Sequence, residues 1–179
     1  MKLMSSIIKE TNEFDINAQN DNKESEQMIL DMLYKRYAEE ILQWYHYWTV
    51  APFLCGDERP SIENKFSEFA DDELNDHAAK LLKRIDELNG DIETLKNLDT
   101  LKVLSECKYV SPEKPYDTIQ LLQINIEHEK CAIEGYKKLC EISKDIDPVT
   151  YDIAVEILKD EEEHLNELEN FLADRNMKH

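Results

Sequence analysis

The sequence predicts an all-α protein, a four-helix bundle with one long crossover between helices two and three. Three observations lead there. Glycine and proline are scarce, three and five in 179 residues, too few for the turns that hairpins and sandwiches need. Apolar residues recur at intervals of three and four over long segments, the period of an amphipathic helix. The outer connections are short, whereas DIETLKNLDTLKVLSECKYVSPEKPY separates the two middle segments, enough chain to run the length of a bundle. A chain of this length is expected to form one domain with a substantial core.

Residues 1–24 are polar and aperiodic and predict a flexible N-terminal arm, with the bundle at 25–174 and a short tail at 175–179. The first helix is expected over 25–54, through Ile29, Leu33, Tyr37, Trp44, Tyr47, Ala51 and Leu54, and CGDERPS ends it. A second should run from Glu58 or Ser61 to Leu88, where Asn89-Gly90 is a helix stop. In the crossover, DTLKVL suits a short helix and YVSPEKP an extended or turn-like path. The third helix runs from Asp117 through Ile119, Leu122, Ile126, Ile133, Tyr136 and Cys140 to about Ser143. Asp147-Pro148 then opens the fourth, the aspartate as N-cap and the proline at the first helical position, and that helix reaches about Ala173.

The formal charge of −19, from 40 acids against 21 bases, repels nucleic acid and anionic membrane, and no polybasic segment offsets it. No apolar run approaches the roughly 20 residues of a membrane span, and MKLMSSIIKETNEFD lacks the apolar middle of a secretory signal. These features predict a cytoplasmic protein with neither DNA nor membrane as partner. Cys55, Cys107, Cys131 and Cys140 form no CxxC pair, so a zinc knuckle or thioredoxin-type motif has no support and reduced, packed thiols are expected. His46, His128 and His179 are expected on the surface or at a subunit interface.

The core-facing seams hold acids. On the fourth helix the seam is Ala154, Ile157, Glu161, His164, Leu168, Phe171; on the third it is Ile119, Leu122, Ile126, Glu129, Ile133, Tyr136, Cys140. The first gives Leu33, Tyr37, Glu40, Trp44, Tyr47, Ala51, and the second Phe66, Ala70, Glu73, His77, Leu81. Each glutamate lies within about a turn of the middle of its helix, so antiparallel packing brings Glu40, Glu73, Glu129 and Glu161 to one level. Burying carboxylates without partners costs several kcal/mol each, which only cations or protons can offset. Four carboxylates match the charge of two divalent ions, with His77 and His164 as neutral nitrogen ligands. Mixed carboxylate and imidazole donors suit iron or manganese, with zinc as another possible occupant.

Glu161 and His164 are spaced ExxH, whereas Glu73 and His77 are one residue further apart, ExxxH. A spacing of four keeps both side chains on one face, and a π-bulge accommodates one extra residue. Tyr47 and Tyr136 each follow a candidate ligand by seven residues, two turns on, placed either to donate hydrogen bonds or supply electrons beside the metals or to fill the core.

Together AEEILQWYHYW, HAAKLLKRIDELNG, CKYVSP, EHEKCAIEGY and ILKDEEEHLNELENFL resemble the ferritin-like superfamily, most closely the Dps-like ferritins called thioferritins, over about Glu26 to Leu172. The resemblance implies a ferroxidase that oxidises Fe(II) at an intrabundle site for two iron ions per subunit, with hydrogen peroxide or oxygen as oxidant. It also implies storage of ferric mineral in a homo-oligomeric shell, usually of twelve subunits. Glu40, Glu129, Glu161 and His164 match family ligands directly, and Glu73 and His77 match with the shifted spacing. Haem is not expected, because the methionine that bacterioferritins place on the second helix is missing, and so is the CxxC of rubrerythrins. Thioferritins resemble one another in a cysteine pair near the site: Cys131 fits its first member, but Tyr151 stands at the second position near the start of the fourth helix. The alternative is a bundle without turnover, structural or metal-buffering, with ExxxH as its signature.

Overall fold

The computed structural model describes residues 2–110, 113 and 117–177. Helix α1 spans Lys2–Val50 and ends in a 3-10 turn at Ala51–Phe53. Its backbone is helical where an arm is expected at 1–24, and nothing there breaks a helix, since the chain has neither glycine nor proline before Pro52. The second bundle helix is continuous but composite: α2 at Arg59–Asp71, a π-helical segment at Asp72–Ala78, and α3 at Ala79–Glu87. The crossover carries a 3-10 turn at Ile92–Leu95 and α4 at Leu98–Leu104, and α5 (Thr118–Ser143) and α6 (Pro148–Met177) complete the bundle.

The expected stops and caps hold. Asn89 adopts a left-handed conformation (φ 58°), and the N–H of Gly90 closes the helix end on the carbonyl of Ile85 at 2.8 Å. Asp117 accepts the N–H of Gln120, and Asp147 that of Thr150 at 3.1 Å, each satisfying a donor of the first turn. The helix predicted at DTLKVL is α4, with Asn97 as its cap. Much of YVSPEKP, and the end of the tail predicted at 175–179 with His179, lie outside the described residues.

Side-chain contacts fix the topology. Tyr34, early in the bundle part of α1, meets Asp91 just after α3, and Thr118 at the start of α5 exchanges hydrogen bonds with the backbone of Cys55 at 2.8 and 3.1 Å. The crossover therefore travels from one end of the bundle to the other, and α5 runs antiparallel to α1. Arg84 on α3 clamps Asp147 before α6 at 2.7 Å, while Lys65 on α2 meets Glu167 on α6 at 2.9 Å, so these two helices are antiparallel as well.

The core is split in two. One cluster packs Ile29, Leu33, Ala38, Leu81, Ile85, Tyr136, Leu139 and Ile157. The other packs Tyr47, Leu54, Ile62, Phe66, Phe69, Leu122, Ile126 and Leu168. Between them lies a layer of buried acids and histidines.

Candidate metal centre

Every helix of the bundle contributes to that layer. Glu40 comes from α1, Glu73 and His77 from the π segment, Glu129 from α5, and Glu161 and His164 from α6. All six side chains are buried, from 0% exposed for Glu73, Glu129 and Glu161 to 5% for His164. Their ligand atoms form two overlapping sets: Glu40, Glu73, His77, Glu161, and Glu73, Glu129, Glu161, His164, each with its donor atoms within 4.8 Å of one another. Glu73 and Glu161 belong to both. Each set adds one further carboxylate and one imidazole to that shared pair, a donor arrangement that could hold two cations side by side.

The ExxxH spacing works because of the π segment. It absorbs the extra residue, and His77 Nδ1 lies 3.2 Å from Glu40, 3.3 Å from Glu73 and 3.1 Å from Glu161. On α6, with plain α geometry, ExxH places His164 Nδ1 3.5 Å from Glu73 and 3.9 Å from Glu161.

Several buried atoms of the layer lack any hydrogen-bond partner: Glu73 Oε1, Glu129 Oε2, both carboxylate oxygens of Glu161, and His164 Nδ1. Acids stranded in this way take up protons when no cation is present. Burial, then the charge of Glu40, pushes Glu73 up to about 8. Burial and the charges of Glu73 and Glu40 raise Glu161 to about 7, and burial with the charge of Glu161 raises Glu129 well above the usual range. Burial also works to raise Glu40, but hydrogen bonds from Glu73 and His77 outweigh it and hold this carboxyl below its ordinary value. Burial opposes charge on the histidines, yet the surrounding acids raise both, His164 to about 11. Divalent cations would replace those protons, and this set of carboxylate and imidazole donors fits two of them.

The tyrosines are paired across the bundle. Tyr47 on α1 donates to Glu129 on α5, and Tyr136 on α5 donates to Glu40 on α1 at 2.5 Å. Each holds a carboxylate of the opposite helix while its ring packs in one of the two apolar clusters, so hydrogen bonding and core filling go together. The outer histidine nitrogens face aspartates: His164 Nε2 is hydrogen-bonded to Asp72 at 3.4 Å, and His77 Nε2 stands 3.5 Å from Asp160 without a hydrogen bond. Both aspartates immediately precede a shared glutamate, a signal legible as DE at Asp72-Glu73 and Asp160-Glu161 but missed in the sequence reading.

Three further features were not anticipated. Cys107 and Cys131 form a disulfide that ties the crossover to α5 two residues after Glu129, correcting the expectation of reduced thiols; the partner of Cys131 lies before α5, in CKYVSP. Its sequence separation of 24 residues gave no local motif to find. His128 is buried rather than superficial, its ring packed 4.4 Å from Tyr109 and 5.1 Å from His46. Arg36 is fully buried, paired with Glu39 at 2.9 Å, next in sequence to Glu40 of the acid layer. Glu39 in turn accepts the N–H of Glu106 in the crossover at 2.9 Å; burial, partly offset by Arg36, raises its carboxyl to about 7.

The family model for the ferritin-like domain matches residues 30–177. The chain belongs to the ferritin-like family. It is 32% identical over 139 residues to a protein of Pyrococcus furiosus called DNA protection during starvation protein, covering 76% of this ferritin-like chain and 72% of that protein. Among solved structures it is similar to a dodecameric thioferritin, the bacterioferritin-related protein of Bacteroides fragilis, at 34% identity and a TM-score of 0.79, covering 86% of this chain and 89% of that one. A ferritin-like diiron-carboxylate protein of Bacillus anthracis shares the fold at 21% identity and a TM-score of 0.68, over 83% of this chain and 97% of the other. Among the described residues no helix is long and apolar enough to cross a membrane.

Proposed function

We propose that this protein is a ferroxidase that binds two Fe(II) as substrate in the carboxylate layer, passes their electrons to hydrogen peroxide or oxygen, and stores the ferric product in a homo-oligomeric shell. One observation carries the reading: the two ligand sets share Glu73 and Glu161, so ions bound in them are held as a pair. A paired site suits two-electron chemistry. Two Fe(II) give up one electron each, one peroxide takes both with two protons, and the products are two Fe(III) and two water molecules, with no one-electron oxygen species released.

The protein's own groups would divide the work as follows. Glu40 and His77 hold one ion, Glu129 and His164 the other, and Glu73 and Glu161 fix the separation of the two. Tyr136 and Tyr47 orient the terminal carboxylates by hydrogen bonding, which preserves the geometry while charge changes at the ions. Apolar packing on both sides of the layer limits the access of water and strengthens the electrostatics inside.

The dodecameric assembly of the Bacteroides fragilis relative supports a shell, and twelve subunits are the expected number. The charge of −19 works against DNA as a partner. The π segment favours turnover over an inert, metal-buffering bundle, because the longer spacing still brings His77 to the ligand set. The test is anaerobic Fe(II) titration followed by a peroxide pulse and then an oxygen pulse, read by ferric absorbance. Wild type should saturate at about two Fe(II) per subunit and oxidise them rapidly, and Glu129→Ala should lose this. Equal traces for the two proteins would discard the proposal.

A further inference from the structure

Beside the centre, between the π segment and α6, lies a separate group of donors: Asp76, the outer nitrogen of His77, and Asp160, with ligand atoms within 4.8 Å of one another. The His77 side chain is 1% exposed and its Nδ1 serves the centre, but Nε2 makes no hydrogen bond, and Asp160 Oδ2 stands 3.5 Å from it. The two aspartates are 46% and 42% exposed, so the group reaches from solvent to a buried ring. A cation is already drawn there: the Lys80 ammonium sits 2.5 Å from Asp76 and 3.1 Å from Glu156. The other half of the centre has no counterpart, for His164 Nε2 meets Asp72 at 3.4 Å and no third donor joins them among the described residues.

We propose that Asp76, His77 Nε2 and Asp160 form a third, transient site for a divalent cation, a station through which Fe(II) is loaded into the centre. The proposal rests on the reading of the centre as an iron site. A neutral imidazole has a single lone pair, so His77 cannot ligate through both nitrogens at once. Occupation of the station and of the His77 half of the centre therefore alternate, which makes the station a place of passage rather than storage. Two exposed carboxylates capture the ion from solvent, and Lys80 yields Asp76 to it while remaining paired with Glu156. Oxygen donors with one imidazole suit Fe(II) or Mn(II).

Co(II), which binds without turnover, reports both steps through its visible absorption in a stopped-flow instrument. Asp76→Asn should slow loading roughly tenfold or more by removing part of the capturing field, with the final absorbance kept, and Lys80→Gln should accelerate it. In Glu40→Ala, where the inner half-site no longer competes for His77, anomalous diffraction from Co(II)-soaked crystals should place an ion between Asp76, Nε2 and Asp160. Loading rates unchanged in both surface variants would overturn the station, as would a lower final absorbance at unchanged rate in Asp76→Asn, which would make Asp76 a structural support. A wild type that takes up no Co(II) would overturn the reading of the centre itself and the station with it, an outcome distinct from failure of the station alone.

Discussion

Gly135 shows how closely single residues are fitted around the centre. A Cβ built there would lie 1.0 Å from Arg36 Nη1, so the guanidinium occupies the space that any other residue would need. Gly135→Ala should therefore destabilise the protein by about 1–3 kcal/mol or more through overpacking, and a shorter side chain at Arg36 in the same molecule should recover part of the loss. Urea denaturation of the two variants and their combination checks this; additive losses would contradict it. Tyr136→Phe should cost about 1–3 kcal/mol by taking from buried Glu40 Oε1 its tyrosine donor, measured in the same way on the metal-free protein. The burial of the six layer residues was legible because acids and histidines on apolar helical seams stand out in sequence. Arg36 and His128 were not, because a buried arginine or histidine looks in sequence like any surface one; only its partners, far along the chain, distinguish it.

Among the elements, the π segment is the one the proposed function leans on most. Its register exists to accommodate one residue between Glu73 and His77, so deleting the exposed Asn75 should return the helix to plain α geometry with an ExxH spacing like that of Glu161 and His164. That deletion should keep the capacity for two ions, by Co(II) titration, and raise thermal stability by on the order of 1 kcal/mol as regular hydrogen bonds replace strained ones. Loss of one ion would mean that the π geometry itself is required. The disulfide acts on another element, the crossover. Cys107→Ser should cost about 3 kcal/mol by the entropy of the loop it closes, visible as a lower denaturation midpoint that reductant reproduces in wild type. Bundle helices and caps were legible from periodicity and from Asn89-Gly90, Asp117 and Asp147-Pro148. The end-to-end path of the crossover was legible too, but its anchors were not, because Glu39 to the Glu106 N–H and Cys107 to Cys131 are contacts between distant parts of the chain.

For the molecule as a whole, the acid layer couples folding to protons and metal. In the metal-free bundle Glu73, Glu129 and Glu161 keep their protons to higher pH than in the unfolded chain, and His77 and His164 do likewise. The folded state thus binds more protons than the unfolded one from the ordinary glutamate value of 4.5 up to about 11, the glutamates covering the lower part of the window and His164 the upper, and stability falls as pH rises through it. Glu40 acts in the opposite sense, but only below the ordinary carboxylate value. Divalent metal relieves the loss, so the gain in Tm on adding Mn(II) should be larger at pH 8 than at pH 6; for scale, 100-fold excess over Kd is worth about 2.7 kcal/mol. Calorimetry at the two pH values decides it, and an equal gain at both would contradict the coupling. Because the layer lies between two separate apolar clusters, a demetallated molecule would be joined at its waist by backbone and by polar contacts among the layer's acids, histidines and tyrosines rather than by apolar packing. Amide hydrogens of the two halves should then exchange with deuterium as independent cooperative units, merging into one when the ions bind.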